Sequence, residues 1–154
     1  MILPKVPLYK QKTEYTCGAA SLKMILENLE ILVSEEKLAK QLRTVYKDGV
    51  GIDRKNLAKV ARSFGCKVVE RVNQKPKDIE KYLKFGFPVI VNYIWRDKFG
   101  HFAVVVGIEK DGLALNDPYT GKRDRISFKD FEKVWRSFDG KYSDRWLMVV
   151  KKQD

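Results

Sequence analysis

The hydrophobic pattern of this 154-residue chain changes period at Pro88, from helical spacing before it to strand-like runs after it, and that switch limits the folds open to it. Leu22, Ile25, Leu26 and Leu29 follow the i, i+3, i+4, i+7 rule and predict a helix that begins near Cys17. Ser34-Glu35-Glu36 reads as a capped, acid-rich first turn leading into Leu38, Ala39, Leu42 and Val45. Asp53 would cap a third helix carrying Leu57, Val60, Ala61 and Phe64, which Gly65 would end. A short strand from Lys67 to Val72 follows. Pro76 then opens a helix with Ile79, Tyr82 and Leu83 as its buried stripe and Gly86 as its stop. Beyond Pro88 come strands at Val89 to Ile94, Phe102 to Ile108 and Leu113 to Leu115, with Asp111-Gly112 as a hairpin signal. Ser127 would cap a short helix bearing Phe128, Phe131, Val134 and Trp135, and Arg145 to Val150 supplies a last strand. This order predicts an α+β domain with an N-terminal helical half packed on a C-terminal antiparallel sheet.

The length fits one domain over residues 1–154, since no repeat, low-complexity tract or linker divides the chain. Two cysteines make no disulfide framework, and Cys66 reads as a packed thiol at the edge of a strand. With one histidine and no close ligand pair, the chain points to no zinc site and to no cofactor. No apolar run reaches the ~18 residues needed to cross a bilayer, and the start Met1-Ile-Leu-Pro-Lys lacks a signal-peptide apolar region, so the expected compartment is the cytoplasm. The net charge of +11 raises nucleic acid as a partner. Basic residues are interleaved with acids, however, as in Lys75-Pro-Lys77-Asp78-Ile-Glu80-Lys81, and no dense basic run stands out, which weighs toward a solvated surface.

The predicted start of the first helix carries the chemistry. A thiolate at Cys17 would face first-turn N–H groups that lack intrahelical partners, and these stabilise its charge. Gln11, on a segment that Pro4 and Pro7 make extended, could bring a side-chain amide beside the Cys17 N–H, the two donors an acyl-transfer oxyanion needs. His101, the lone histidine, precedes an apolar run and is a natural base for a thiol. Asp117, in Asn116-Asp117-Pro118, could orient the imidazole and stabilise it as a cation. Taken singly, each has an ordinary explanation as a small buried hydrophobe, a structural histidine or a turn former.

Together, Gln11, Cys17-Gly18-Ala19-Ala20-Ser21-Leu22-Lys23-Met24, Gly100-His101-Phe102-Ala103-Val104-Val105 and Asn116-Asp117-Pro118 make the chain resemble the peptidase C39 family of papain-like cysteine peptidases, best known as leader-peptide-cleaving domains of bacteriocin exporters. The resemblance implies a papain-like fold, with Cys17 as nucleophile, His101 as base, Asp117 as orienting acid and Gln11 as oxyanion donor, acting on a peptide or protein substrate without membrane insertion. Thr16 stands where the family commonly has an aspartate, and suits a helix N-cap. A two-residue turn at Asp111-Gly112 would put His101 opposite residue 122, so a bulge or longer loop is needed to bring Asp117 near, and Asn116 or Asp124 are alternatives. Trp95, heading a polar loop toward His101, and Gly100 are the candidates for substrate contact. The basic clusters Lys122-Arg123-Asp124-Arg125 and Lys151-Lys152 could steer an acidic peptide. Two other readings remain open: a peptide-binding domain without turnover, and a basic nucleic-acid-binding protein in which Cys17 and His101 are structural.

Overall fold

In a computed structural model of the chain, residues 1–42, 54–96, 99–136 and 145–153 are described; the expected roles of Val45 and Asp53 fall outside them. Helices α1 (Cys17–Asn28), α2 (Glu35–Leu42) and α3 (Arg54–Ser63) come first, then β1 (Cys66–Arg71) and α4 (Pro76–Lys84). Strands β2 (Val89–Trp95), β3 (Phe99–Glu109), β4 (Gly112–Asp117) and β5 (Lys122–Ser127) follow, and α5 (Phe128–Val134) and β6 (Leu147–Lys152) close the order. The strands form one six-stranded sheet, ordered β1-β6-β2-β3-β4-β5, with every neighbouring pair antiparallel.

The expected α+β architecture holds, with helices on both sheet faces. Leu22, Ile25 and Leu26 of α1, Leu38 of α2 and Leu57 of α3 share a core with Phe102, Val104 and Val106. On the opposite face, Ile79 and Leu83 of α4 and Phe131 of α5 pack with Val91, Tyr93, Ala103, Val105 and Leu115. Burying each large aliphatic side chain contributes about 1.5–3 kcal/mol relative to exposure. Helices on both faces explain why β2 is apolar at every position but Asn92, with every residue buried.

Local signals place most boundaries. Ser34 Oγ accepts from Lys37 N at 3.1 Å and Ser127 Oγ from Asp130 N at 3.1 Å, the caps expected of both. Gly65 and Gly86, at φ of 79° and 87°, end α3 and α4 in the left-handed conformation that glycine adopts without strain. Thr16 holds the N-cap position of α1 but makes no side-chain cap; its hydroxyl is drawn to Glu35 instead, at 2.9 Å. β5 was not expected as a strand, because its exposed edge carries Lys122, Arg123, Asp124 and Arg125 in place of an apolar alternation.

The β3–β4 hairpin corrects the expected register twice. Glu109 pairs with Gly112, so the turn residues are Lys110-Asp111, both at positive φ (44° and 57°), rather than Asp111-Gly112. Between Val105 and Gly107 the register shifts by one, a β-bulge with Val106 as the extra residue. The segment at Met1–Leu3 pairs with this stretch: Leu3 N donates to Val106 O at 2.8 Å and Ile108 N to Met1 O at 2.9 Å. A Cβ on Gly107 would run into the Met1 carbonyl oxygen and stand 2.9 Å from Ile2 Cα. Gly107→Ala is therefore expected to displace this segment and lower stability by about 1–3 kcal/mol, read as a lower urea midpoint at an unchanged m-value.

Candidate active site

Cys17 is the first residue of α1, and the packing of that helix on β3 fixes where its sulfur lies. Burial pushes the Cys17 thiol up, but the neighbouring His101 imidazole and its charge, with the N–H groups of Phe102 and Gly18, hold the thiol below its ordinary value. Cys66 goes the other way: burial raises it, and Lys152 offsets this only in part. Both cysteines are free thiols.

The bulge decides which acid meets His101. Past Val104 and Asn116, the last pair in the ladder, the register brings Asp117 level with Ala103, on the face His101 shares. Without the extra residue Asp117 would be level with Val104 and would point to the other face. As built, His101 Nε2 lies 2.7 Å from Asp117 Oδ1, and neither side chain is more than 1% exposed. Asp117 Oδ1 also accepts from Tyr119 N at 2.9 Å, and Oδ2 accepts from Trp95 Nε1 at 3.2 Å. Burial disfavours the charged imidazole, yet the Asp117 bond and the Cys17 sulfur outweigh it and push His101 up to about 9. Burial likewise raises Asp117, but His101, Tyr119 N–H and Trp95 bring it below the usual carboxylate range.

His101 Nδ1, the other ring nitrogen, is buried without a hydrogen bond of full geometry, and the Cys17 thiol is the titratable group that acts on the ring from beyond Asp117. Nucleophile–base contacts are often loose in a resting site. Tyr93, Trp95, Phe99 and Tyr119 enclose the imidazole with ring centroids 5.6 to 6.3 Å away. These rings keep water from the ion pair and so strengthen it.

Gln11 is buried beside the same loop. Its backbone N donates to Pro118 O at 2.6 Å, tying it to the residue that follows Asp117. Its side-chain Nε2 donates to Thr13 O at 2.7 Å, which leaves one amide hydrogen uncommitted, while Oε1 is buried without a partner. Asn116 Nδ2 donates to Pro7 O at 3.0 Å, so Asn116 holds the Gln11-bearing segment and is not the partner of His101. Asp124 lies on β5 opposite Leu115, at an exposed position, and is not that partner either.

Trp95 ends β2 and, at 7% exposure, is more a wall of the His101–Asp117 pair than the head of a substrate loop. Gly100 lies within β3 opposite Ile94, half-buried, and His101 is inside the strand rather than before it. Two supporting residues escaped the sequence reading. Asn92 Nδ2 donates to His101 O at 3.1 Å, and Arg54 donates to Asn92 Oδ1 from Nε (3.2 Å) and Nη2 (3.0 Å) while lying over the Trp146 ring. The available signal was one amide amid the apolar residues of β2. Among the described residues no group of three or more His, Cys, Asp or Glu side chains could hold a metal ion, and no helix is long and apolar enough to cross a membrane.

Known structures share this architecture. The double glycine motif protease from an AMS/PCAT transporter, solved in complex with the leader peptide, is 25% identical with a TM-score of 0.74, covering 97% of this chain and 93% of that one. The peptidase domain of Streptococcus ComA, a bi-functional ABC transporter, is 20% identical with a TM-score of 0.78, covering 96% and 99%. A C39-like peptidase from Bacillus anthracis is 21% identical with a TM-score of 0.78, covering 99% and 98%. No protein of curated function matches the chain in sequence. The family model for the Peptidase_C39 like family matches residues 3–143, and the chain belongs to that family.

Proposed function

We propose that the chain, acting as one domain, is a cysteine peptidase that cleaves a peptide bond through a thioester on Cys17. The observation that carries this reading is the buried line from Asp117 to His101 to Cys17, which lowers the thiol and raises the imidazole. His101 takes the Cys17 proton, and the thiolate attacks the substrate carbonyl carbon. The oxyanion is held by the Cys17 N–H and the uncommitted Gln11 Nε2–H. Collapse of this intermediate releases the amine, protonated by His101, and water then hydrolyses the thioester with His101 as base.

The substrate class follows from family and chemistry together. A family relative binds a leader peptide at 25% identity, which supports a peptide segment of that kind as substrate. A net charge of +11 favours encounter with an acidic one. The free thiols Cys17 and Cys66 suit the reducing cytoplasm as the place of action.

The ion pair sets a pH test. Below the lowered thiol value Cys17 is protonated, and above about 9 His101 loses the proton that the leaving amine needs. Turnover should therefore be bell-shaped in pH with its alkaline limb near 9. At pH near ~6 iodoacetamide should alkylate Cys17 at least about tenfold faster than Cys66, and His101→Ala should abolish the difference; equal rates in the native protein would overturn the reading.

Gln11 gives an independent check. Gln11→Ala should reduce peptide turnover by about 10²–10³-fold while leaving Cys17 alkylation almost unchanged, since alkylation forms no oxyanion. Steady-state hydrolysis and iodoacetamide labelling of the same preparation measure both quantities.

A further inference from the structure

The loop between Gln11 and Cys17 is anchored by a carboxylate from another helix. Glu35, the first residue of α2, is only 3% exposed, and its Oε2 accepts from Lys12 N at 2.7 Å and from Thr16 Oγ1 at 2.9 Å. One oxygen thus grips the residue after Gln11 and the residue before Cys17. Glu35 is not needed to cap its own helix, because Ser34 Oγ already accepts from Lys37 N.

The Thr16 hydroxyl carries this grip to Gln11. Its oxygen accepts from Thr13 N at 3.2 Å and Thr13 Oγ1 at 3.1 Å, and its single hydrogen has two acceptors in reach, Glu35 Oε2 at 2.9 Å and Thr13 O at 3.2 Å. A charged acceptor at the shorter distance wins. Thr13 O is then left to accept from Gln11 Nε2, at 2.7 Å. Remove the carboxylate, and the hydroxyl turns wholly to Thr13 O, becoming a second donor on the carbonyl that holds the Gln11 amide and altering the geometry of that hold. The Lys12 peptide would lose its acceptor in the same step.

We propose that Glu35 is a positioning residue for the oxyanion site, aiming the Gln11 amide through Thr16 and Thr13 and fixing the adjoining peptide through Lys12. This rests on the peptidase reading above. Glu35 touches neither sulfur nor substrate; its effect is confined to steps that generate an oxyanion-like oxygen.

The test uses the whole chain and two probes of Cys17. A short peptide aldehyde adds the thiol across its carbonyl: a C–S bond forms, the C=O π bond opens, and the thiol proton ends on the oxygen, which sits where the oxyanion donors point. Iodoacetamide forms a C–S bond and expels iodide, with no such oxygen. Glu35→Ala should weaken aldehyde binding by about tenfold or more, as misaimed donors do, with the alkylation rate almost unchanged. Glu35→Gln should recover most of the loss, because an amide oxygen can accept from the same two donors. The Gln11→Ala/Glu35→Ala double variant should bind the aldehyde no more weakly than Gln11→Ala alone.

If Gln11→Ala weakens aldehyde binding but Glu35→Ala does not, or if the two losses add, the proposal is overturned and the peptidase reading stands. Parallel loss of aldehyde binding and alkylation in both Glu35 variants would make Glu35 a support of the fold and overturn it as well. A wild-type chain that alkylates rapidly but fails to bind the aldehyde, or binds it unaffected by Gln11→Ala, would overturn the oxyanion reading and this proposal together.

Discussion

The 2.7 Å contact between His101 Nε2 and Asp117 Oδ1 joins two ionisable groups from adjacent strands where water barely reaches either. A pair buried this deeply is stable only when its remaining polar atoms are also satisfied, because desolvation otherwise exceeds the attraction between the charges. Tyr119 N–H and the Trp95 indole N–H meet that condition on Asp117, while on His101 the ring nitrogen Nδ1 is left without a hydrogen bond and only the backbone carbonyl is secured, by Asn92. Much of the surrounding architecture serves the pair: the aromatic wall excludes solvent, and Arg54 on α3 orients Asn92 from the opposite layer. The order of effects is physical: strand pairing places the two groups, burial couples them, and coupling raises the imidazole above its ordinary value.

Three distant parts of the chain converge on this pair. The segment before α1 is tied to the end of β4 through Gln11 N to Pro118 O and Asn116 Nδ2 to Pro7 O. Helix α1 brings Cys17 against β3, and α2 reaches back through Glu35 to the loop between them. Hence the segment that bears Gln11 and the strand end that bears Asp117 are joined directly by hydrogen bonds.

The sequence was most legible where a residue type has one physical use. Periodicity and the Ser34, Ser127, Gly65 and Gly86 signals located helices correctly, since caps and left-handed glycines act locally. Gln11, Cys17, His101 and Asp117 are legible from their placement on an extended segment, at a helix start, beside an apolar run and at a strand end, an arrangement more specific than any one of them. Geometry was less legible. The His101–Asp117 pairing hinged on a bulge at Val106, whose one local signal is Gly107 inside the apolar run, and β5 stayed hidden because an exposed edge strand carries charge instead of alternation. Glu35 and Asn92 were missed for a related reason: a carboxylate in a first helical turn and an amide in an apolar run each have a sufficient local explanation, and only tertiary contacts give them another.

The extra residue in β3 makes the site sensitive to arithmetic. Between His101 and Asp117 the chain runs up one strand, through a bulge and a two-residue turn, and back, and only an odd correction of one residue brings both side chains to the same side. Side chains along this path can change in kind and leave that parity intact. Chain length cannot: a single insertion or deletion in the strands between His101 and Asp117 puts the two side chains on opposite faces of the sheet, though both residues are still present. For relatives of this chain, spacing from histidine to aspartate is therefore a sharper criterion for this buried pair than the presence of the two residues.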